Sequence, residues 1–261
     1  MSESSPATAV AFQLHNATID LAVHAQRMST AKYRDAPNAI VRDALFVIAH
    51  DAVCVHRAVG NLAFAGWSSP ASALLRTSLD ITISTLAIVN SRKPSLAAFK
   101  YLYSNFRRLG RDLNLTPAHR KRIREQVRTR VSLLPPEQRE EALRAYGEKD
   151  RAYWFAPEWP SPSAVMREFG APGMEDFYRQ FSAAAHGGFF GLRLFRDDPD
   201  RIDINAREPI GQQAVSVSYI SAKLLVEVTR LRGESEQLDI LPACSALSLK
   251  LNAVALGHIS T

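Results

Sequence analysis

Apolar residues recur three and four positions apart along most of this chain, the spacing of helices that bury one face. Residues 7–32 show it raggedly, with Val10, Leu14, Ile19, Leu21 and Val23 set among polar positions. From Asn38 to Ala65 the repeat is regular through Ile40, Val41, Leu45, Ile48, Val55, Val59 and Leu62, and Gly66 predicts its end. Ser69-Pro70 is a strong start signal, a capping hydroxyl followed by a residue preset for the first helical turn. That helix is predicted to run to about Ser91, ahead of Pro94. Another begins at Ser95 and continues to about Leu113. Thr116-Pro117 repeats the start signal, and Pro135-Pro136 opens a helix ending near Ala152. Tyr153 to Pro162 is aromatic and rich in proline, too rigid for helix. Short helices follow over 162–170 and 174–186, the second ended by Gly187-Gly188. Gln212 to Leu231 reads as a long helix with Gly233 as its stop, and Leu241 to about Leu256 as the last.

The pattern predicts an all-α protein: an antiparallel bundle of about eight or nine helices joined by short loops. The stretch 189–209 holds turn signals, Asp-Asp-Pro and a brief alternation at Ile202 and Ile204, which suits a loop or short hairpin. One helical domain over 1–261 is expected, with 116–152 as a basic flank or insertion. No repeat of solenoid period occurs, and no glycine-rich turn follows a strand pattern, which disfavours dinucleotide and P-loop sites.

Composition adds boundaries. With 46% apolar and 22% charged residues among 261, a wholly disordered chain is ruled out. Two cysteines, Cys54 and Cys244, make neither a disulfide framework nor a zinc cluster. No cofactor and no metal are expected. The most apolar window, Leu79 to Val89, is interrupted by Asp80, Thr82, Ser84 and Thr85, and the N-terminus lacks a signal-peptide pattern. A cytoplasmic protein without a membrane span is the expectation. The net charge of +6 permits a polyanionic partner.

That charge is concentrated. Between Arg107 and Arg130 stand nine basic residues, eight of them Arg, against Asp112 and Glu125, a net +7 that leaves about −1 for the rest. Arginine in such excess suits phosphate recognition, through Arg120, Lys121, Arg122, Arg124 and Arg128 on one helix. With no aromatic interleaved after Phe106, base stacking has little support, and a solvated face is the plain alternative.

Two other stretches could carry chemistry. Arg76 and Asp80 are four apart in an apolar helix, where charges are usually paired; both are expected to be buried, as a structural pair or facing a cavity. In Glu175 to Gly188, Arg179 and His186 are two turns apart, about 20° from alignment, with Ser182 between. Phe177, Phe181 and Ala184 form the opposing apolar stripe. A guanidinium, a hydroxyl and an imidazole on one edge suit phosphodiester cleavage without metal. The imidazole would move the ribose 2′-OH proton, and the guanidinium would hold the phosphate. The structural alternative is an exposed Arg179 paired with Glu175, and a histidine capping the helix end. His50 and His56 are out of phase on their helix, and no His-Glu-x-x-His spacing exists, which disfavours a metal site.

Three pieces together resemble a bacterial helical family of domains of unknown function, number 5677. They are Ala73-Leu-Leu-Arg76-Thr-Ser-Leu-Asp80, Trp159-Pro-Ser-Pro162, and Tyr178-Arg-Gln-Phe-Ser182-Ala-Ala-Ala-His186-Gly. The resemblance covers roughly residues 40–230 and departs at Asp80, where that family more often has Glu. It implies a helical fold and carries no activity. More loosely, Arg179 followed by His186 is similar to the Arg–His motif of HEPN domains. These are helical bundles, often dimeric, whose ribonuclease members cut RNA by 2′-OH attack without metal. Gln180 and Phe181 after Arg179 depart from the polar position of active members, which leaves Ser182 to serve.

Two readings therefore stand. One is a metal-independent, HEPN-like endoribonuclease of phage-defence or toxin type. In it His186 is the acid–base, Arg179 and Ser182 its partners, and RNA or another polyanion the ligand of a homodimer. The other is a non-catalytic helical module that binds protein or nucleic acid.

Overall fold

The structure, a computed structural model, describes residues 6–32, 39–103, 115–147, 156, 158–185 and 212–259. Among these, every regular element is helical. The ten helices are α1 (Pro6–Lys32), α2 (Ala39–Phe64), α3 (Ser68–Asn90), α4 (Pro94–Tyr103), α5 (Pro117–Ser132), α6 (Pro136–Gly147), α7 (Pro162–Phe169), α8 (Met174–Ala185), α9 (Gln212–Glu236) and α10 (Leu241–Ile259). The expected segment at 189–209 lies outside the described residues. So do the ends expected near Leu113 and Ala152.

Helix ends follow the local chemistry. Thr116 caps α5, its hydroxyl accepting from the His119 backbone N–H, with Pro117 in the first turn. α2 ends at Phe64, and Gly66 closes its C-terminal turn as expected, taking φ +85° while Trp67 N–H reaches back to the Leu62 carbonyl at 2.8 Å. α9 differs from expectation: it passes through Gly233 and ends at Glu236. The stop comes from Gln237, held at φ +52°, with Leu238 N–H bonded to the Gly233 carbonyl at 2.8 Å. Gly233 serves packing instead, since a Cβ there would sit 2.8 Å from the Ile240 side chain.

The chain divides into two units. The first comprises Met1–Lys32, Ala49–Thr82 and Gly170–Thr261. In it α1 packs along α9 and α10, and α9 against α10. A core cluster joins α2, α3 and α9 through Val59, Ala63, Ala71, Leu75, Ala214 and Val217, with Phe181 of α8 packed on it.

The buried face of α1 corrects the ragged pattern read from the sequence. Val10 is exposed, and Leu14, Leu21 and Val23 are only half-buried. The buried seam is Thr8, Ala11, His15, Thr18, Ala22, Ala25 and Ser29, with Ile19 beside it. Its spacing alternates three and four, a heptad seam built from small residues, which lets neighbouring helices come close.

The second unit comprises Tyr33–Ile48 and Ile83–Phe169. There α4, α5 and α6 pack on one another. They bury Leu96, Phe99, Val127, Val131, Leu134 and Ala142. Glu141 on α6 accepts from Lys100 at 2.7 Å and Lys93 at 3.3 Å, and Arg130 on α5 pairs with Asp43 on α2 at 2.5 Å. Trp159 donates its indole N–H to Glu168 at 2.7 Å, and its ring meets Phe169 edge-on. The helices within 116–152, read from sequence as a flank, fall inside this unit. Among the described residues one helical stretch, Pro70–Asn90, is long and apolar enough to cross a membrane, and 67% of its apolar window is buried in the protein.

Candidate functional site

α8 starts after Gly173, which holds φ +82°, and carries Glu175 and Asp176 in its first turn, where carboxylates oppose the helix dipole favourably. Phe181 turns inward, with Phe177 stacked on it at 5.9 Å and itself exposed. Tyr178 and Ser182, four residues apart, share the side that meets α3.

There they meet Arg76. Its Nε donates to Asp80 Oδ2 at 3.0 Å and its Nη1 to Ser182 Oγ at 2.6 Å. Nη2 donates to the Tyr178 hydroxyl, and the guanidinium lies 3.4 Å from the centre of the Tyr178 ring. All three guanidinium nitrogens are engaged, so Arg76 ties α3 to α8. Its side chain is 14% exposed, close to the expected burial. Asp80 departs from it: at 46% exposure, half the carboxylate stays in water, where its charge is solvated as well as paired.

Arg179 has other partners. Its guanidinium lies 3.2 Å from Glu175 and 3.8 Å from Asp176, with 69% of the side chain exposed. The edge expected to carry Arg179 and Ser182 together is thus split: Ser182 is bonded to Arg76, while Arg179 is on the solvent side. The third member, His186, lies outside the described residues.

On α5 the basic residues Arg120, Lys121, Arg122, Arg124 and Arg128 are all exposed. Arg120 Nε donates to the Leu115 carbonyl and Arg124 Nε to the Arg120 carbonyl. No carboxylate among the described residues lies within ion-pair distance of any of the five. Arg130, one turn from the end, differs through its pairing with Asp43. The further basic positions Arg107, Arg108 and Arg111 lie outside the described residues.

No group of three or more His, Cys, Asp or Glu able to hold a metal ion occurs among the described residues. His50, Asp51 and Cys54 are neighbours on the exposed side of α2, with the Cys54 sulfur 3.9 Å from the imidazole.

The sequence reading missed a buried pair. His15 of α1 and His56 of α2 stack with ring centres 4.0 Å apart and planes tilted by 32°. His56 Nδ1 accepts from the Ser221 hydroxyl of α9 at 2.8 Å, and Nε2 donates to the His15 carbonyl at 3.3 Å. Burial lowers His15 from 6.5 to about 4, and burial together with His15 lowers His56 to about 3. Both rings are neutral at pH 7. The one sequence signal was that position 15 falls in the small-residue heptad seam, a weak cue next to the larger Leu14.

No protein-family profile, no curated protein and no solved structure matches this chain, so its geometry alone carries the functional argument.

Proposed function

We propose that this chain is a helical RNA-directed module that engages phosphates through α5. The observation that carries the reading is the set of five exposed basic side chains on one helix with no carboxylate partner among the described residues. Unneutralised surface charge at this density draws a polyanion and gains free energy by releasing its counterions. The guanidinium excess adds forked donors that match phosphate oxygens. The experiment is binding of a single-stranded RNA by the whole protein and by a variant carrying Arg122→Gln, Arg124→Gln and Arg128→Gln. Weakened binding supports the reading; unchanged affinity overturns it and leaves protein binding as the role of this face.

A second reading, metal-independent cleavage of that RNA by a cytoplasmic homodimer with an antiparallel, HEPN-like bundle, draws on one observation about Arg179. Its two carboxylate partners sit on a solvent-facing helix turn, where ion pairs are worth little and exchange readily for a phosphate. Arg179 would hold the phosphate, His186 would move the 2′-OH proton, and the hydrogen-bonded Ser182 would keep α8 in register. Cleavage that survives EDTA, leaves a 2′,3′-cyclic phosphate and falls about 10²–10⁴-fold in His186→Ala supports this reading. Intact RNA after incubation with wild type removes it and leaves the binding module.

A further inference from the structure

We propose that α1 is an acid-released latch: protonation of the buried His15–His56 pair drives the N-terminal helix off its seat on α2 and α9.

The pair is built for neutral rings. Both nitrogens of His56 are used, one accepting from Ser221 and one donating to the His15 carbonyl. His15 Nδ1 is buried and has no hydrogen-bond partner among the described residues. The His15 ring rests on bare α2 backbone, since a Cβ on Gly60 would come within 2.2 Å of it. Phe64 closes one side edge-on at 5.9 Å. Among the described residues, no charged group acts on His15, and the group that acts on His56 is His15 itself. Neither α9 nor α10 brings an ionisable group to either ring among the described residues; α9 offers the Ser221 hydroxyl. A proton added to either imidazole therefore places a cation against a second imidazole, with no carboxylate to answer it.

The seam makes α1 the element that yields. Apart from Ile19, its fully buried positions are Ala, Ser, Thr and His15, which gain little from leaving water. In α3, by contrast, Leu75, Leu79, Ile83, Leu86 and Ile88 are all buried.

Linkage sets the window. Release of α1 carries His15 into water and takes its ring and backbone off His56, which moves both rings back toward the ordinary value of 6.5, while the docked state holds them near 4 and 3. Above pH 7 neither state takes up a proton and docking is unaffected. As pH falls below 6.5 the released state is favoured about tenfold per ring per pH unit, or about a hundredfold for the pair, until pH nears 4.

The test is amide hydrogen exchange on the whole protein between pH 7 and 4.5, corrected for intrinsic rate. Protection over residues 11–29 should fall by about a hundredfold per pH unit below 6.5, while residues 75–88 keep theirs. In His56→Gln, which keeps a neutral acceptor and donor, the dependence should drop to about tenfold. Flat protection of α1 across this range, or loss in step with α3, overturns the proposal. Should His56→Gln fail to fold, imidazole NMR on the wild type decides. Rings neutral until α1 protection is lost support the latch; a ring titrating near 6.5 with α1 still protected defeats it.

Discussion

Arg76 and Arg179 carry the same guanidinium and have opposite situations. Arg76 spends every nitrogen on Asp80, Ser182 and Tyr178, in a side chain largely out of water. Removing it takes a charged donor away from the Ser182 and Tyr178 hydroxyls and from the Asp80 carboxylate. Arg76→Ala should therefore lower unfolding stability by about 2–4 kcal/mol, below the full cost of breaking a deeply buried pair because Asp80 keeps its water. Asp80→Asn should cost about 1 kcal/mol or less. Urea unfolding of the two variants checks the ranking; equal losses would mean the ion pair, and not the tie to α8, holds the joint. The cysteines make a second contrast. Cys54 is exposed, whereas burial raises the Cys244 thiol to about 11. A thiol reagent at pH 8 should modify one cysteine in the folded protein and two after denaturation, because the thiolate is the reacting species. Two fast thiols in the native state would contradict the burial of Cys244.

Between helices, the His15 side chain of α1 lies directly over Gly60 of α2. Alanine there ordinarily strengthens a helix by about 1 kcal/mol. Here its methyl would enter the His15 ring, which is buried with its centre 4.0 Å from that of His56. Gly60→Ala should destabilise by about 1–3 kcal/mol in the wild type, and be neutral or stabilising in His15→Ala. A double-mutant cycle by thermal or urea unfolding reads that coupling; additive effects would place the strain elsewhere. The same contact explains what was legible in the sequence. Helices with large apolar residues on one face, such as 39–64 and 68–90, could be read almost to their ends. So could the proline and threonine starts, because capping is local chemistry. The buried face of α1 could not: a seam of Ala, Thr and Ser resembles a polar face until a neighbour is known to approach closely. The stop after α9 was placed at Gly233 because glycine usually supplies the left-handed turn, yet Gln237 supplies it and Gly233 makes room for Ile240. In the candidate site, spacing alone revealed the Arg76–Asp80 pair. It also put Ser182 and Arg179 together, because a 60° offset on a wheel leaves two side chains free to choose different neighbours, as these have done.

Over the whole chain, a net +6 is the sum of a segment near +7 and a remainder near −1. In a protein of even charge such a total would serve solubility; here it is concentrated into a local positive field. The exposed part of that segment on α5 leaves Arg122, Arg124 and Arg128 without carboxylate partners among the described residues, so each is free to replace a counterion on a phosphate. For single-stranded RNA each phosphate contact contributes about −0.7 to the slope of log affinity against log salt. If all three side chains contact phosphate, converting them to Gln should make the slope shallower by about 2, and the loss should shrink as salt rises. Both proteins should unfold at nearly the same urea concentration, since exposed unpaired arginines add little to stability. Titration of a fluorescent RNA at several salt concentrations gives both slopes. A weaker affinity with an unchanged slope would assign these arginines to something other than phosphate contact. In that case phosphate contact by α5 would have to run through Arg120 and Lys121, whose substitution is then the experiment that decides whether this helix binds nucleic acid.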